Sequence, residues 1–165
     1  MHKSWRAYGM LLGIALLQSI YFYPQLPETI SSHYNAQGVA DNWSTKGTFF
    51  LLYALVIGLM LALFTLIPRL IRTLPSALIN LPNKEYWLAP ERRDQTLDSF
   101  ANQMRWFGVA VIAFLVAVFQ LVLSANLPGS AGFPTTLAIL ALGAFLLFTV
   151  AWTIRMLMAW RIPRP

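Results

Sequence analysis

Three side chains in one polar stretch, Glu28, His33 and Asp41, have the chemistry to hold a divalent cation or to move a proton. Imidazole and carboxylate are ligands that zinc accepts, and histidine is the commonest general base. Their spacings of five and eight residues match no metal-binding motif, and no second acid–base motif occurs elsewhere in the chain. The same stretch also reads as a shaped loop. Glycine takes φ > 0 without strain and asparagine tolerates it, so Gly38 and Asn35 suit tight turns, with His33 and Asp41 bonded to loop backbone. Ile30, Tyr34, Val39 and Trp43 are more apolar anchors than a disordered tether carries. Segment 24–47 is therefore expected to form a compact cap that presents His33, Asn35, Gly38, Asp41, Trp43 and Lys46 to a ligand or partner. Histidine changes charge near neutral pH, which makes His33 a candidate sensor as well. No cofactor is expected; metal at Glu28, His33 and Asp41 is the lesser alternative.

The elements that must position these residues are written in four apolar runs, 7–23, 48–67, 106–123 and 136–154. Each is close to the ~20 residues that a bilayer-crossing helix needs. The 165 residues are 58% hydrophobic and 11% charged, against roughly 25% charged in a soluble domain. Lipid can accommodate that much apolar side chain where a soluble core of this size cannot. Eleven of the twelve Lys and Arg residues flank the runs on one side: Lys3, Arg6, the six between the second and third runs, and Arg155, Arg161 and Arg164. Lys46 alone falls on the other. Basic flanks stay in the cytoplasm. The expectation is one all-α domain over 1–165, an integral membrane four-helix bundle with both termini inside, in a bacterial inner membrane. Outer loops would cover 24–47 and 124–135, and a cytoplasmic loop 68–105.

The first run ends in Tyr21-Phe22-Tyr23-Pro24, without the small-residue cleavage pattern of a signal peptide, so it reads as a retained helix. Trp5, Trp43, Tyr53, Trp106 and Trp160 are expected at the membrane interface. A net charge of +6 invites a nucleic-acid partner, but the basic residues sit in flanks and form no stripe with exposed aromatics. The bilayer is the expected partner instead. The absence of cysteine excludes disulfides and thiolate-bound metals.

Pro68 should end the second helix, because proline cannot donate to the ladder. The third could be longer than its apolar part and start at Pro90; the alternative is a break near Asp98-Ser99, with an amphipathic piece on the membrane. Tyr86 and Trp87 would lie at the cytoplasmic headgroups, and Arg92 and Arg93 would pair with Glu91, Asp94 or phosphate, or dock a protein. Small residues recur every four positions, at Gly9 and Gly13, at Ala54, Gly58 and Ala62, and at Ala113 and Ala117. That spacing lets helices approach closely, here within the bundle in preference to a homo-oligomer. No ionisable residue lies deep in a run, which disfavours ion pumps and proton relays. Gln18 and Gln120 are the most polar internal groups, and their amides could satisfy each other.

Leu26-Pro27, His33-Tyr34-Asn35, Gly38, Asp41, Trp43 and Ser44-Thr45-Lys46 between two membrane helices resemble a bacterial domain of unknown function. The resemblance covers 9–61, and one departure is Ser31 or Ser32 where many members have proline. The same domain opens the SdpI-type immunity proteins, which protect against a secreted killing peptide and help relay its presence to a repressor. Asn80 to Arg93 is similar to a segment of short, stand-alone members; the SdpI-type proteins continue into a further membrane domain for which this sequence has no counterpart. The resemblance implies a fold and an outer loop that matters. The favoured expectation is thus a non-enzymatic membrane protein, of an immunity or signal-relay type, whose outer loop recognises a peptide, lipid or protein partner. An accessory subunit or small carrier is the first alternative, and a metal-dependent enzyme at the outer face the second.

Overall fold

A computed structural model describes residues 3–162; Arg164, one of the expected basic flank residues, lies outside them. Four long helices carry the chain: α1 (Lys3–Phe22), α2 (Lys46–Thr73), α4 (Arg93–Ala125) and α5 (Thr135–Ala159), with a one-turn α3 (Lys84–Trp87) between α2 and α4. Three of them, α2, α4 and α5, are long and apolar enough to cross a membrane. The expectation of an all-α chain needs correction. Strands β1 (Thr29–Tyr34) and β2 (Ala40–Thr45) form an antiparallel hairpin between α1 and α2.

The helix that organises the molecule is α4, against which α1, α2 and α5 all pack. Tyr8, Tyr53, Ile57, Ile112 and Val116 form the middle of this core. Lipid gives helices no hydrophobic drive to associate, so close packing and hydrogen bonds must do it. Gly108 supplies the closest approach: a Cβ there would collide with the Tyr8 hydroxyl and with Phe64. The glycines singled out by spacing do not act this way. A Cβ at Gly9, Gly13 or Gly58 would meet nothing within 4 Å, so these positions face outward and do not pack inside the bundle.

Gln18 and Gln120 do meet, Gln18 Nε2 donating to Gln120 Oε1 at 2.8 Å and to the Val116 carbonyl at 3.3 Å. Tyr53 completes the set by donating to Gln18 Oε1 at 2.6 Å. Its ring is buried and stacks on Phe119, so Tyr53 belongs to the interior and not to the membrane interface. Trp160 is likewise buried, against Trp87.

Three helix ends differ from expectation. Helix α2 starts a residue before Gly47, because the Thr45 side chain accepts from Thr48 N and caps it. It then runs through Pro68 to Thr73. Proline costs the ladder one donor, which a long helix survives when its last turn is held by tertiary contacts. Arg93 provides them, its Nη2 donating to the carbonyls of Arg72 at 3.1 Å and Leu74 at 2.8 Å. Helix α4 is continuous past Asp98 and Ser99, starting at Arg93 and not at Pro90. Its 33 residues make it about 50 Å long at ~1.5 Å per residue, well beyond a ~30 Å hydrocarbon layer.

Candidate functional site

The hairpin is built by its turn. Asn35 Oδ1 accepts from Gln37 N and Val39 N, both at 3.0 Å, and Gly38 sits at φ +76°. Gly38 has a second reason to lack a side chain, since a Cβ would run into Thr135 at the start of α5. The register pairs Ser31 with Trp43, His33 with Asn42 and Tyr34 with Ala40, which leaves Ser32 and Asp41 without partners in a bulged stretch. Ser32 is one of the two positions at which the sequence resemblance expects proline. A bulge is where a strand tolerates a residue that cannot pair.

Several independent contacts seat the hairpin on the bundle. Ile30 is buried with Phe22, Leu26, Phe49, Val122 and Leu123. Asn126, at the end of α4, imitates a neighbouring strand: its Oδ1 accepts from Ser31 N at 2.7 Å and its Nδ2 donates to Ser31 O at 2.9 Å. Tyr34 stacks on Phe133 with centroids 4.3 Å apart. Lys46 turns inward, donating to Glu28 at 2.9 Å and to the Leu26 carbonyl at 3.3 Å, with its ammonium 5.1 Å from the Tyr23 ring centre.

The six expected binding residues therefore divide into two groups. Asn35, Gly38 and Lys46 shape and anchor the hairpin. His33, Asp41 and Trp43 stay on its surface, Trp43 58% exposed and His33 Nδ1 2.5 Å from Asp41 Oδ1. Val39, 59% exposed, joins them. Glu28 pairs with Lys46 and not with the His33–Asp41 pair, so the three candidate metal ligands are divided. Among the described residues no group of three or more His, Asp or Glu side chains is placed to hold a metal ion.

The expected inner interface folds back on the protein. Trp87 Nε1 and Asn83 Nδ2 both donate to the Trp160 carbonyl at 2.8 Å, clasping the end of α5. Arg92 lies over the Tyr86 ring, 4.2 Å from its centre, and bonds the Tyr86 carbonyl and Glu91. Arg93 reaches Asp94 only at 4.0 Å and serves as the cap of α2. Sequence reasoning missed Asn126, Gly108 and Asn83. Asn83 had a signal, as an asparagine after Pro82, and it takes the left-handed conformation at φ 54°.

A family model described as a domain of unknown function, DUF1648, matches residues 10–57. That segment holds most of α1, the whole hairpin and the first turns of α2. No curated protein and no solved structure matches the chain.

Proposed function

We propose that this protein is a non-enzymatic, multi-pass protein of a bacterial inner membrane whose outer hairpin recognises a peptide, lipid or protein partner. All four long helices span in this reading, α1 included, with both termini and the segment between α2 and α4 on the cytoplasmic side. The observation that carries it is the hairpin itself. It is fixed to three helices and a second outer segment, yet it leaves a tryptophan, a valine and a His–Asp pair in the open. A rigid support under exposed aromatic and charged groups is what a recognition surface needs.

An immunity or signal-relay role of the SdpI type is supported by two further facts. The family match falls on the hairpin and its flanking helices. Helix α4 also joins the two faces physically, ending at Asn126 under the hairpin and starting at the Arg93 clamp.

A photo-crosslinking residue at Trp43 tests the reading in native membranes. A discrete adduct from position 43 that is absent from position 130, in the other outer segment, is the expected result. Identical patterns from both positions, or none from 43, count against recognition by the hairpin.

A second reading, an accessory subunit or small carrier, draws on α5. None of its 25 residues is buried, and its main packing partner is α4. A partner membrane protein, or a second copy meeting the open faces of Gly9 and Gly13, would cover such surfaces. Purification in mild detergent separates the readings: a co-purifying chain favours the subunit, and a monomer of this chain alone removes that support.

A further inference from the structure

We propose that the cleft between the cytoplasmic-side ends of α4 and α5 binds a phosphate group, with the headgroup of an anionic phospholipid as its membrane source. The site lies away from the hairpin and depends only on the membrane reading. On α4 the wall is Ser99, Asn102, Gln103 and Trp106, and on α5 it includes Trp152 and Arg155. Residues 99, 102, 103 and 106 follow the i, i+3, i+4, i+7 rule, so they share one helix face. Residues 152 and 155, with Met156, share the opposing face. Facing stripes of two packed helices normally interdigitate. These do not, and about 470 Å³ remains between them.

The cleft is propped at both ends. Toward the outer side the helices close through Phe114 on Phe145, centroids 4.4 Å apart, and Phe107 on Phe148 at 6.2 Å. Toward the inner side the Trp160 carbonyl is held by Asn83 and Trp87. Helix separation is thus fixed by contacts outside the cleft, leaving its polar lining free for a ligand.

The lining chemistry favours an anion. No Asp or Glu contributes to it. Arg155 takes part in no ion pair and no side-chain hydrogen bond among the described residues, unlike Arg72, Arg92 and Arg93. Asn102 uses its carbonyl on Arg105, which leaves its NH₂ to donate. Ser99 Oγ accepts from Gln103, which leaves its hydroxyl proton to donate. The indole N–H of Trp152 is buried with no acceptor among the described residues. Guanidinium and amide donors around one space suit phosphate oxygens. The volume exceeds that of a lone phosphate, and the Trp106 and Met156 flanks suit the glycerol and first methylenes of a lipid. Gln103 Oε1 is left to accept a headgroup hydroxyl.

Native mass spectrometry of the whole chain released from nanodiscs provides the test. Phosphatidylglycerol should remain bound where phosphatidylcholine dissociates. Arg155→Ala should weaken retention about fivefold to tenfold, in line with the loss of one direct basic contact. Arg155→Lys should keep most of it, and Arg161→Ala, at an exposed position beyond the cleft, should change nothing. The pair Ser99→Leu and Asn102→Leu fills the cleft while leaving the charge, and should match Arg155→Ala. Inorganic phosphate titrated into delipidated protein in detergent separates the sources. Arg155-dependent binding there assigns the site to a soluble phosphate, and its absence, with lipid retention intact, assigns it to the headgroup. Equal retention of both lipids by the wild type, or wild-type retention by Arg155→Ala and the double variant, overturns the proposal. Loss of hairpin crosslinking would leave the cleft result standing.

Discussion

At the scale of single residues, one glycine and one asparagine carry more of the architecture than the residues that look most chemical. Gly108 lets α1 and α2 both reach α4, since a Cβ there would lie within 2.6 Å of Phe64 Cγ as well as against Tyr8. Phe64 Cβ, equally close, is fixed to its backbone, so helices would have to move apart. Gly108→Ala should therefore cost about 1–3 kcal/mol, the range for overpacking. Gly9→Ala and Gly58→Ala should stay within about 0.5 kcal/mol, as exposed substitutions do. Thermal unfolding in one detergent compares them, and equal midpoints for all three would refute the packing argument. Asn126→Ala leaves the N–H and C=O of Ser31, a residue only 6% exposed, without partners. A penalty of about 2 kcal/mol follows from unsatisfied buried groups. Hydrogen exchange should rise across 29–34 while the middle of α4 stays protected; unchanged exchange in β1 would show that Ile30 and Tyr34 hold the hairpin alone. Neither residue was legible in advance. Gly108 belongs to no small-residue repeat, and Asn126 looks like an ordinary end to an apolar run.

At the scale of elements, runs of apolar residues located all four long helices, because in a helix with so much exposed apolar surface the composition is itself the signal. What sequence could not resolve was how tertiary contacts extend or interrupt the pattern. Pro68 reads as a stop, yet Arg93, 25 residues later, caps the turn beyond it. The hairpin stayed hidden because a bulge breaks the alternation of β1 and β2 at Ser32 and Asp41. Its turn residues, Asn35 and Gly38, and its anchors Ile30 and Tyr34 were readable; Asn126, which holds Ser31, and Phe133, which stacks on Tyr34, were not, since these lie some 95 residues away or more. The candidate site was half legible for the same reason. Residue type marked His33, Asp41 and Trp43, but only geometry shows that Lys46 is consumed by Glu28 and Leu26. Arg93 gives the element-scale prediction. Arg93→Ala removes charged donors from two carbonyls and from Ser76 Oγ, a loss of roughly 1.5–3 kcal/mol for each charge-assisted bond at most. Limited proteolysis of solubilised protein should then cut between residues 73 and 84 much faster than in the wild type. An unchanged cleavage rate would mean that Ile71, packed on Ile79, Leu88 and Leu97, suffices.

At the scale of the whole molecule, the proposed topology turns on whether α1 spans together with the three helices that are long and apolar enough to cross a membrane. Its outward residues, among them Met10, Leu16, Leu17 and Ile20, are each more than 60% exposed, which water would penalise and lipid would not. Inward, Gln18 is matched by Tyr53 and Gln120, so the one amide of its apolar stretch is satisfied near the end of the helix. Both facts fit a spanning helix, and the lack of cysteine makes the point measurable, because any introduced thiol is the only one. Cysteines at exposed positions 37 and 131 should react with a membrane-impermeant maleimide in intact cells. Those at 77 and 95 should react only after permeabilisation. Position 3 discriminates: if α1 spans, Lys3→Cys is protected like 77, whereas an α1 lying outside the bilayer would leave it as reactive as 37. Labelling of position 3 in intact cells would reduce the membrane core to α2, α4 and α5. It would also place the N-terminal basic residues on the same side of the membrane as the hairpin, and the recognition surface would have to take them into account.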